Sequence, residues 1–108
     1  MGYLQALADA RAALRRGDLE RAEHLLMQAG FLADGDAAFH NLVGVLHECR
    51  GRTRQAKKSY GRAIAASPGY LPSQLNMRRH YELSALGSTI HPVALGDESQ
   101  PASNVVKE

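Results

Sequence analysis

The stretch from His40 to Pro68 constrains the fold more than any other part of the chain. It reads HNLVGVLHECRGRTRQAKKSYGRAIAASP, and its small and aromatic residues recur at the spacing of two helices joined by a glycine turn. In order, these residues are Gly44, the turn glycine Gly51, Ala56, Tyr60, Ala63 and Pro68. Gly44 and Ala56 would let two antiparallel helices approach closely, with Tyr60 filling the space beside them. A larger side chain at either small position would force the helices apart.

A copy of this pattern lies 34 residues earlier in the chain. The coinciding pairs are Ala56 with Ala22, Tyr60 with Leu26, Ala63 with Ala29, Gly51 with Gly17, and Gly44 with Ala10. Moving forward by 34 from Ala37 reaches Leu71, and the stretch from Leu71 to Leu86 resembles the first helix of a third copy. Self-similarity at a fixed period of this length is typical of helical repeat proteins.

The pattern and its period resemble the tetratricopeptide repeat, in which a small residue and a turn glycine precede A-x3-aromatic-x2-A and a proline. The resemblance covers roughly Tyr3 to Leu86. It implies an all-α fold, a helix-turn-helix solenoid of two repeats plus a C-terminal capping helix, in a domain spanning residues 1–87. The sequence departs from the family pattern at His40, where a large aromatic residue is usual, and at His47, where a tyrosine is usual.

Helix-forming residues and capping signals predict five helices in this domain. They are Tyr3–Arg16, ended by Gly17; a helix capped by Asp18 and ending near Ala29; Ala37–Arg50, capped by Asp36; a helix capped by Thr53 and ending near Ala66; and a helix with Pro72 in its first turn that stops at Gly87.

Residues 88–108 carry no helical stripe and are predicted to form an irregular C-terminal tail. The fifth helix has no partner helix after it, so one apolar side would be left uncovered. The tail contains an apolar patch within reach of that side, formed by Ile90, Val93 and Leu95. We expect residues 88–95 to fold back over the fifth helix, with Asp97 onward staying mobile. The alternative is that the segment reaches into a second molecule and pairs two solenoids.

Composition bounds the class of protein. The 108 residues are 44% hydrophobic and 22% charged, which fits one small globular domain with a soluble surface. The single cysteine excludes an internal disulfide and fits a reducing compartment. The N-terminus lacks the pattern of a secretory signal, and the apolar runs are shorter than the ~20 residues of a membrane span. We therefore expect a cytoplasmic protein.

Catalytic and metal-binding chemistry is poorly supported. His40 and His47 share one helix face but lie about 10 Å apart along the helix axis, too far for one ion with ~2 Å Zn–N bonds. We expect these histidines to be partly buried and hydrogen-bonded to neighbours. Cys49 has no C-x-x-C partner, and no glycine-rich phosphate loop is present. The expectation is a protein that is not an enzyme and needs no cofactor or metal.

The strongest charge feature is a basic run between positions 50 and 62. Three of its residues, Arg54, Lys58 and Arg62, are spaced by four and form a basic outer face on the fourth helix. The first interpretation is a solvated outer surface, and the alternative is a surface for an acidic protein. A nucleic-acid partner is disfavoured because interleaved aromatic residues are absent.

The resemblance also implies where a ligand would bind. In the tetratricopeptide family the first helix of each repeat lines a concave groove that receives peptides. Carried over by repeat position, the predicted partner-binding groove is lined by Leu4, Leu7, Arg11, Leu14, Asn41, Val45, Glu48, Leu75 and Arg79. The residue set with which some family members hold a C-terminal carboxylate is not reproduced here.

Two functions from different classes follow. The first is a protein–protein interaction module, an adaptor or assembly factor, that holds a peptide or helix segment in this groove. Because Arg11 and Arg79 flank apolar residues, the expected segment is acidic and apolar. The alternative is a self-associating structural protein that assembles through unfinished solenoid ends, since about three repeats are needed to bury a continuous core. Neither a membrane nor nucleic acid is an expected partner.

Overall fold

A computed structural model describes residues 2–33 and 35–98, and these residues form five α-helices and no β-strand. The helices are α1 Tyr3–Arg16, α2 Leu19–Leu32, α3 Ala37–Cys49, α4 Thr53–Ala66 and α5 Leu71–Leu86. The predicted all-α class is therefore confirmed. Residues 88–98 are neither helix nor strand. The remainder of the predicted tail lies outside the described residues.

Glycine or aspartate caps account for four of the ten helix ends. Gly17 and Gly87 follow α1 and α5 in the left-handed conformation, with φ of 75° and 80°, which glycine adopts without steric cost. Asp18 accepts a hydrogen bond from the Arg21 amide at the start of α2. Asp36 accepts one from the third residue of α3 in the same way. These predicted ends and caps are confirmed.

Two predicted helix ends were wrong. The second helix continues to Leu32, beyond the predicted end at Ala29, because Gly30 is accommodated within it and the Ala33 amide still donates to the Ala29 carbonyl. Thr53 was expected to cap α4, but it is the first helical residue. Arg52 occupies the cap position and its side chain makes no capping hydrogen bond.

The helices pack in a regular order. Each helix contacts the next one along the chain, and α3 also contacts α1 and α5, whereas α2 and α4 do not touch each other. The helices α1, α3 and α5 consequently lie side by side. We call their common surface the odd-helix face. The other two helices cover the opposite side.

The closest helix pair is α3 with α4, at the point the sequence predicts. A Cβ atom added to Gly44 would lie 2.5 Å from Cε1 of Tyr60, so only glycine allows this approach. Tyr60 and Ala56 are both fully buried. Because Gly44 and Tyr60 lie eight residues on either side of Arg52, the two helices are antiparallel. Alanine and leucine side chains supply most of the remaining core, which draws on α1 to α4 and on Leu95.

Candidate binding face

The odd-helix face is crossed by the chain's own residues 88–98, which we call the strap. Successive strap residues bond first to α5, then to α3 and α5 together, and finally to α1. Residues 91–95 of the strap contain no helix, strand, turn or bend, and a bend follows at Gly96.

Two buried asparagines hold the middle of the strap by its backbone. Asn76 Nδ2 donates to the Ala94 carbonyl at 2.8 Å, and the Ala94 amide donates to Asn76 Oδ1 at 2.9 Å. Asn41 Nδ2 donates to the same carbonyl at 2.9 Å, and Asn76 Nδ2 also donates to Asn41 Oδ1. Both asparagines are fully buried, so their amide groups depend on these bonds. The arrangement satisfies both backbone groups of Ala94.

Leu95 and Gly96, the next two strap residues, pack against α1 and the start of α5. Leu95 is only 6% exposed and joins the hydrophobic core, and its carbonyl accepts a hydrogen bond from Arg11 Nε at 2.8 Å. Gly96 has a φ of 108°, and an added Cβ would collide with the Tyr70 hydroxyl and Arg11. Burial, the largest effect, raises the pKa of Tyr70 although the neighbouring Arg11 lowers it. Only glycine fits at this strap position.

The acidic end of the strap pairs with Arg15 of α1. Asp97 Oδ1 and Oδ2 lie 2.5 and 2.9 Å from the two terminal nitrogens of Arg15, a bidentate arrangement. This hydrogen-bonded pair lowers the pKa of Asp97. Glu98 lies 3.6 Å from the same guanidinium and accepts hydrogen bonds from the Leu95 and Gly96 amides. Asp97 is thus anchored, contrary to the expectation that residues from this point stay mobile.

The strap begins with a smaller set of contacts to Glu82 of α5. Its carboxylate accepts a hydrogen bond from the Thr89 hydroxyl at 2.5 Å and lies 3.0 Å from His91 Nδ1. These bonds, with Thr89 first, lower the pKa of Glu82. Ile90 lies between these two partners but is 93% exposed, so it does not belong to the docked apolar patch predicted from the sequence. Leu95 provides the buried anchor instead.

A second polar cluster lies beneath this surface, around Glu48 of α3. Its carboxylate forms a close ion pair with Arg79 and accepts a hydrogen bond from the Tyr60 hydroxyl at 2.7 Å. His80 Nε2 lies 3.0 Å from the same carboxylate. Burial and the adjacent Arg79 lower the pKa of His80. The cluster ties α3, α4 and α5 together.

The residues predicted to line the groove take different positions. Leu7, Leu14 and Val45 are buried in the core cluster. Arg11 and Asn41 bind the strap backbone. Arg79 is 5% exposed and paired with Glu48, so its charge is already compensated within the protein. Leu75 is half-buried and lines a cleft beside the strap. Leu4 is exposed and lies outside the core cluster.

Clefts border the strap on both sides. One, of about 420 Å³, lies between the strap and the first turns of α5, and is lined by Tyr70, Pro72 and Leu75 among others. The other, of about 380 Å³, is bounded on the helix side by Leu14, Arg15, Val45 and Cys49. The single cysteine is exposed there. The clefts show that the strap does not fill the whole odd-helix face.

The basic outer face lies elsewhere. Arg54, Lys58 and Arg62 are all exposed, and none forms an ion pair with a carboxylate among the residues that the structure describes. Within ranges 2–33 and 35–98, no three histidine, cysteine or acidic side chains are grouped closely enough to hold a metal ion. His47 Nδ1 is buried without a hydrogen-bond partner there, although histidines at this position were expected to be bonded. Its pKa is lowered chiefly by burial.

Sequence reasoning missed Arg15 and the backbone role of Asn76. Asparagine in the middle of a helix on a buried face costs helix propensity and burial energy, and so indicates a specific hydrogen-bond partner. Asn41 and Asn76 are such residues, one on each of two neighbouring odd helices. The pairing of Arg15 with Asp97 has no comparable signature, because the two residues are 82 positions apart.

Comparison with protein-family models, with curated proteins and with solved structures gave no match. In the described part of the chain, no helix combines the length and apolar character required to cross a bilayer. The geometry of the odd-helix face is therefore the main basis for a functional assignment.

Proposed function

We propose that this chain is a protein–protein interaction module of the tetratricopeptide-repeat type, two helix pairs closed by α5, that acts as an adaptor or assembly factor. Its ligand is an extended segment of another protein, held across α1, α3 and α5. The 34-residue sequence period and the side-by-side arrangement of the odd helices support this assignment. A role in binding rather than catalysis fits the polar groups that hold the strap, since Asn41, Asn76 and Arg11 all bond to its backbone. Its single cysteine fits action in the reducing cytoplasm.

The observation that carries the proposal is the double recognition of Ala94 by Asn41 and Asn76. Side chains that bond both the carbonyl and the amide of one residue recognise an extended backbone rather than a particular side chain. Such a site can hold any protein segment that presents the same backbone and a small side chain at this point. The strap demonstrates the geometry within the chain itself.

A photo-crosslinking experiment tests the assignment. Cys49 lies exposed in the cleft beside the strap and is the only cysteine, so a thiol-reactive photo-crosslinker attached there samples the odd-helix face. Illumination in an extract of the producing cells, followed by mass spectrometry, should identify one protein cross-linked through a short segment.

The matched control carries the same label on the basic outer face, in a Cys49→Ser, Lys58→Cys variant. Lys58 is exposed on α4, away from the strap. We expect the partner to cross-link from position 49 and not from position 58. Capture from position 58 alone would refute the odd-helix face and move the binding surface to the basic stripe.

Self-association is the second candidate function, and exposed apolar side chains favour it. Tyr81, Leu86 and Ile90 lie uncovered on α5 and the start of the strap, and Phe31 is 87% exposed at the end of α2. Exposed apolar side chains that form one contiguous patch are typical of contacts with other molecules. Light scattering during size-exclusion chromatography separates the candidates: a stable oligomer dispersed by Leu86→Ser supports assembly, and a monomer at high concentration refutes it.

A further inference from the structure

The strap occupies the face assigned to the partner, and this bears on the partner's chemistry. We infer, on the basis of the proposed function, that the partner presents a segment with the strap's own recognition sequence. This is a small residue, an apolar residue, a glycine and two acidic residues, in that order. The strap is then the intramolecular competitor that this segment displaces.

Each position of the recognition sequence has its own steric reason. The residue at position 94 is buried while its backbone bonds to two asparagines, so a small side chain fits there. Position 95 inserts into the core cluster and needs an apolar side chain. Position 96 needs glycine, because its φ is 108° and a side chain would meet Tyr70 and Arg11.

Charge complementarity specifies the acidic end. Arg15 lies at the α1 edge of the face and makes two short hydrogen bonds to Asp97 and a longer contact to Glu98. Of the two arginines predicted from the sequence to bind ligand charge, Arg79 is already paired with Glu48 and Arg11 donates to the Leu95 carbonyl. Selection for acidic residues therefore depends on Arg15, which the sequence did not indicate, and on the two positions that follow the glycine.

The contacts that hold the strap are of a kind that a second chain can make in its place. It has no helix or strand of its own, and its bonds run from helix side chains to its backbone or to its acidic groups, which another chain of the same sequence would reproduce. A flexibly tethered ligand acts at an effective concentration in the millimolar range. A free segment of equal affinity must therefore reach a concentration of about 1 mM to displace it, and a segment that displaces it at lower concentration must gain affinity from extra contacts in the flanking clefts.

The first test measures binding of a fluorescent peptide with the sequence of residues 88–98 to the full chain by anisotropy. Gly96→Val in the chain should release the tethered strap, because valine has no room beside Tyr70. This variant should bind the free peptide at least tenfold more tightly than the unmodified chain does. Ile90→Ser is the matched control, since that side chain is exposed, and it should bind like the unmodified chain. Equal binding by all three chains overturns the inference.

The second test does not depend on the folding of the glycine variant. Arg15 is partly exposed, so Arg15→Glu can be made without opening the core. The Arg15→Glu chain should prefer a peptide carrying Asp97→Lys and Glu98→Lys over the natural peptide by at least tenfold, and the unmodified chain should show the reverse preference. An Arg15→Glu chain that shows no preference between the two peptides overturns the proposed reading of the acidic end.

The outcomes separate this inference from the proposed function. If Cys49 still captures a partner whose cross-linked segment lacks the small–apolar–glycine–acidic sequence, the inference fails and the function stands. If neither a partner nor the strap peptide binds, both fail. A dimer in which two copies exchange straps, detected by light scattering of the unmodified chain, would make a second copy the occupant and overturn the inference.

Discussion

Replacing Gly44 by alanine tests the closest contact in the fold with a single methyl group. In an unconstrained helix interior, alanine is more favourable than glycine by about 1 kcal/mol. At this position the added Cβ would lie 2.5 Å from Cε1 and 2.6 Å from Cδ1 of Tyr60. The ring is fully buried and its hydroxyl is bonded to Glu48, so it has little freedom to move away. Overpacking of this kind costs about 1–3 kcal/mol.

Gly61 provides the matched control, because it lies within α4 and an added Cβ would meet only Met77 Cε, at 4.0 Å. Gly61→Ala should therefore stabilise the protein by up to about 1 kcal/mol through helix propensity alone. Gly44→Ala has the same propensity gain minus the overpacking cost. The two variants should differ by about 1–3 kcal/mol in the free energy of unfolding, with Gly44→Ala the less stable.

The assay is urea denaturation followed by circular dichroism at 222 nm, which reports on the helices that make up most of the described chain. A double-mutant cycle with Tyr60→Leu adds a second criterion, since the cost of Gly44→Ala should shrink once the ring is absent. Equal stabilisation by Gly44→Ala and Gly61→Ala would refute the close approach of α3 and α4. It would also remove the main structural support for the small-residue pattern seen in the sequence.

Two further predictions concern buried polar groups. Asn76→Leu should lower the free energy of unfolding by about 1–3 kcal/mol, because it leaves the buried Ala94 amide unpaired. The control Gln28→Leu, at an exposed position, should be nearly neutral. Unchanged hydrogen exchange at the Ala94 amide in Asn76→Leu would contradict this prediction. The free energy of unfolding should also fall as the pH drops below about 6.5, the pKa of histidine in an unfolded chain. Folding lowers the pKa values of His47 and His80, so the unfolded chain binds protons more readily than the folded protein and is favoured by acid. In denaturation curves recorded between pH 7 and pH 5, His80→Asn should flatten this loss, and stability that rises on acidification would contradict the assignment.

The helices were largely predictable because their determinants are local. The caps Asp18 and Asp36 and the terminal glycines Gly17 and Gly87 act within a few residues of the backbone groups they satisfy, so the sequence alone indicates them. The error at the end of α2 has the same origin, since a helix can pass through a glycine when later residues continue its hydrogen bonds.

The path of the strap was only partly predictable. Apolar residues after Gly87 indicated a segment that folds back, but they did not indicate which of them would be buried, and Ile90 is exposed while Leu95 is buried. The decisive contacts join Leu95 to Arg11 and Ala94 to Asn41, across more than 50 residues of sequence. Backbone groups are the same in nearly every residue, so a contact to the backbone produces no recognisable pattern in the sequence.

The strap also has a mechanical consequence. It is attached covalently to α5 and held electrostatically by α1, the two odd helices that make no direct contact with each other. The strap therefore limits how far α1 and α5 can move apart while both of its ends remain attached. Release of the acidic end of the strap from Arg15 would therefore free α1 and α5 to move apart, so that the curvature of the helix stack is coupled to the occupant of its face.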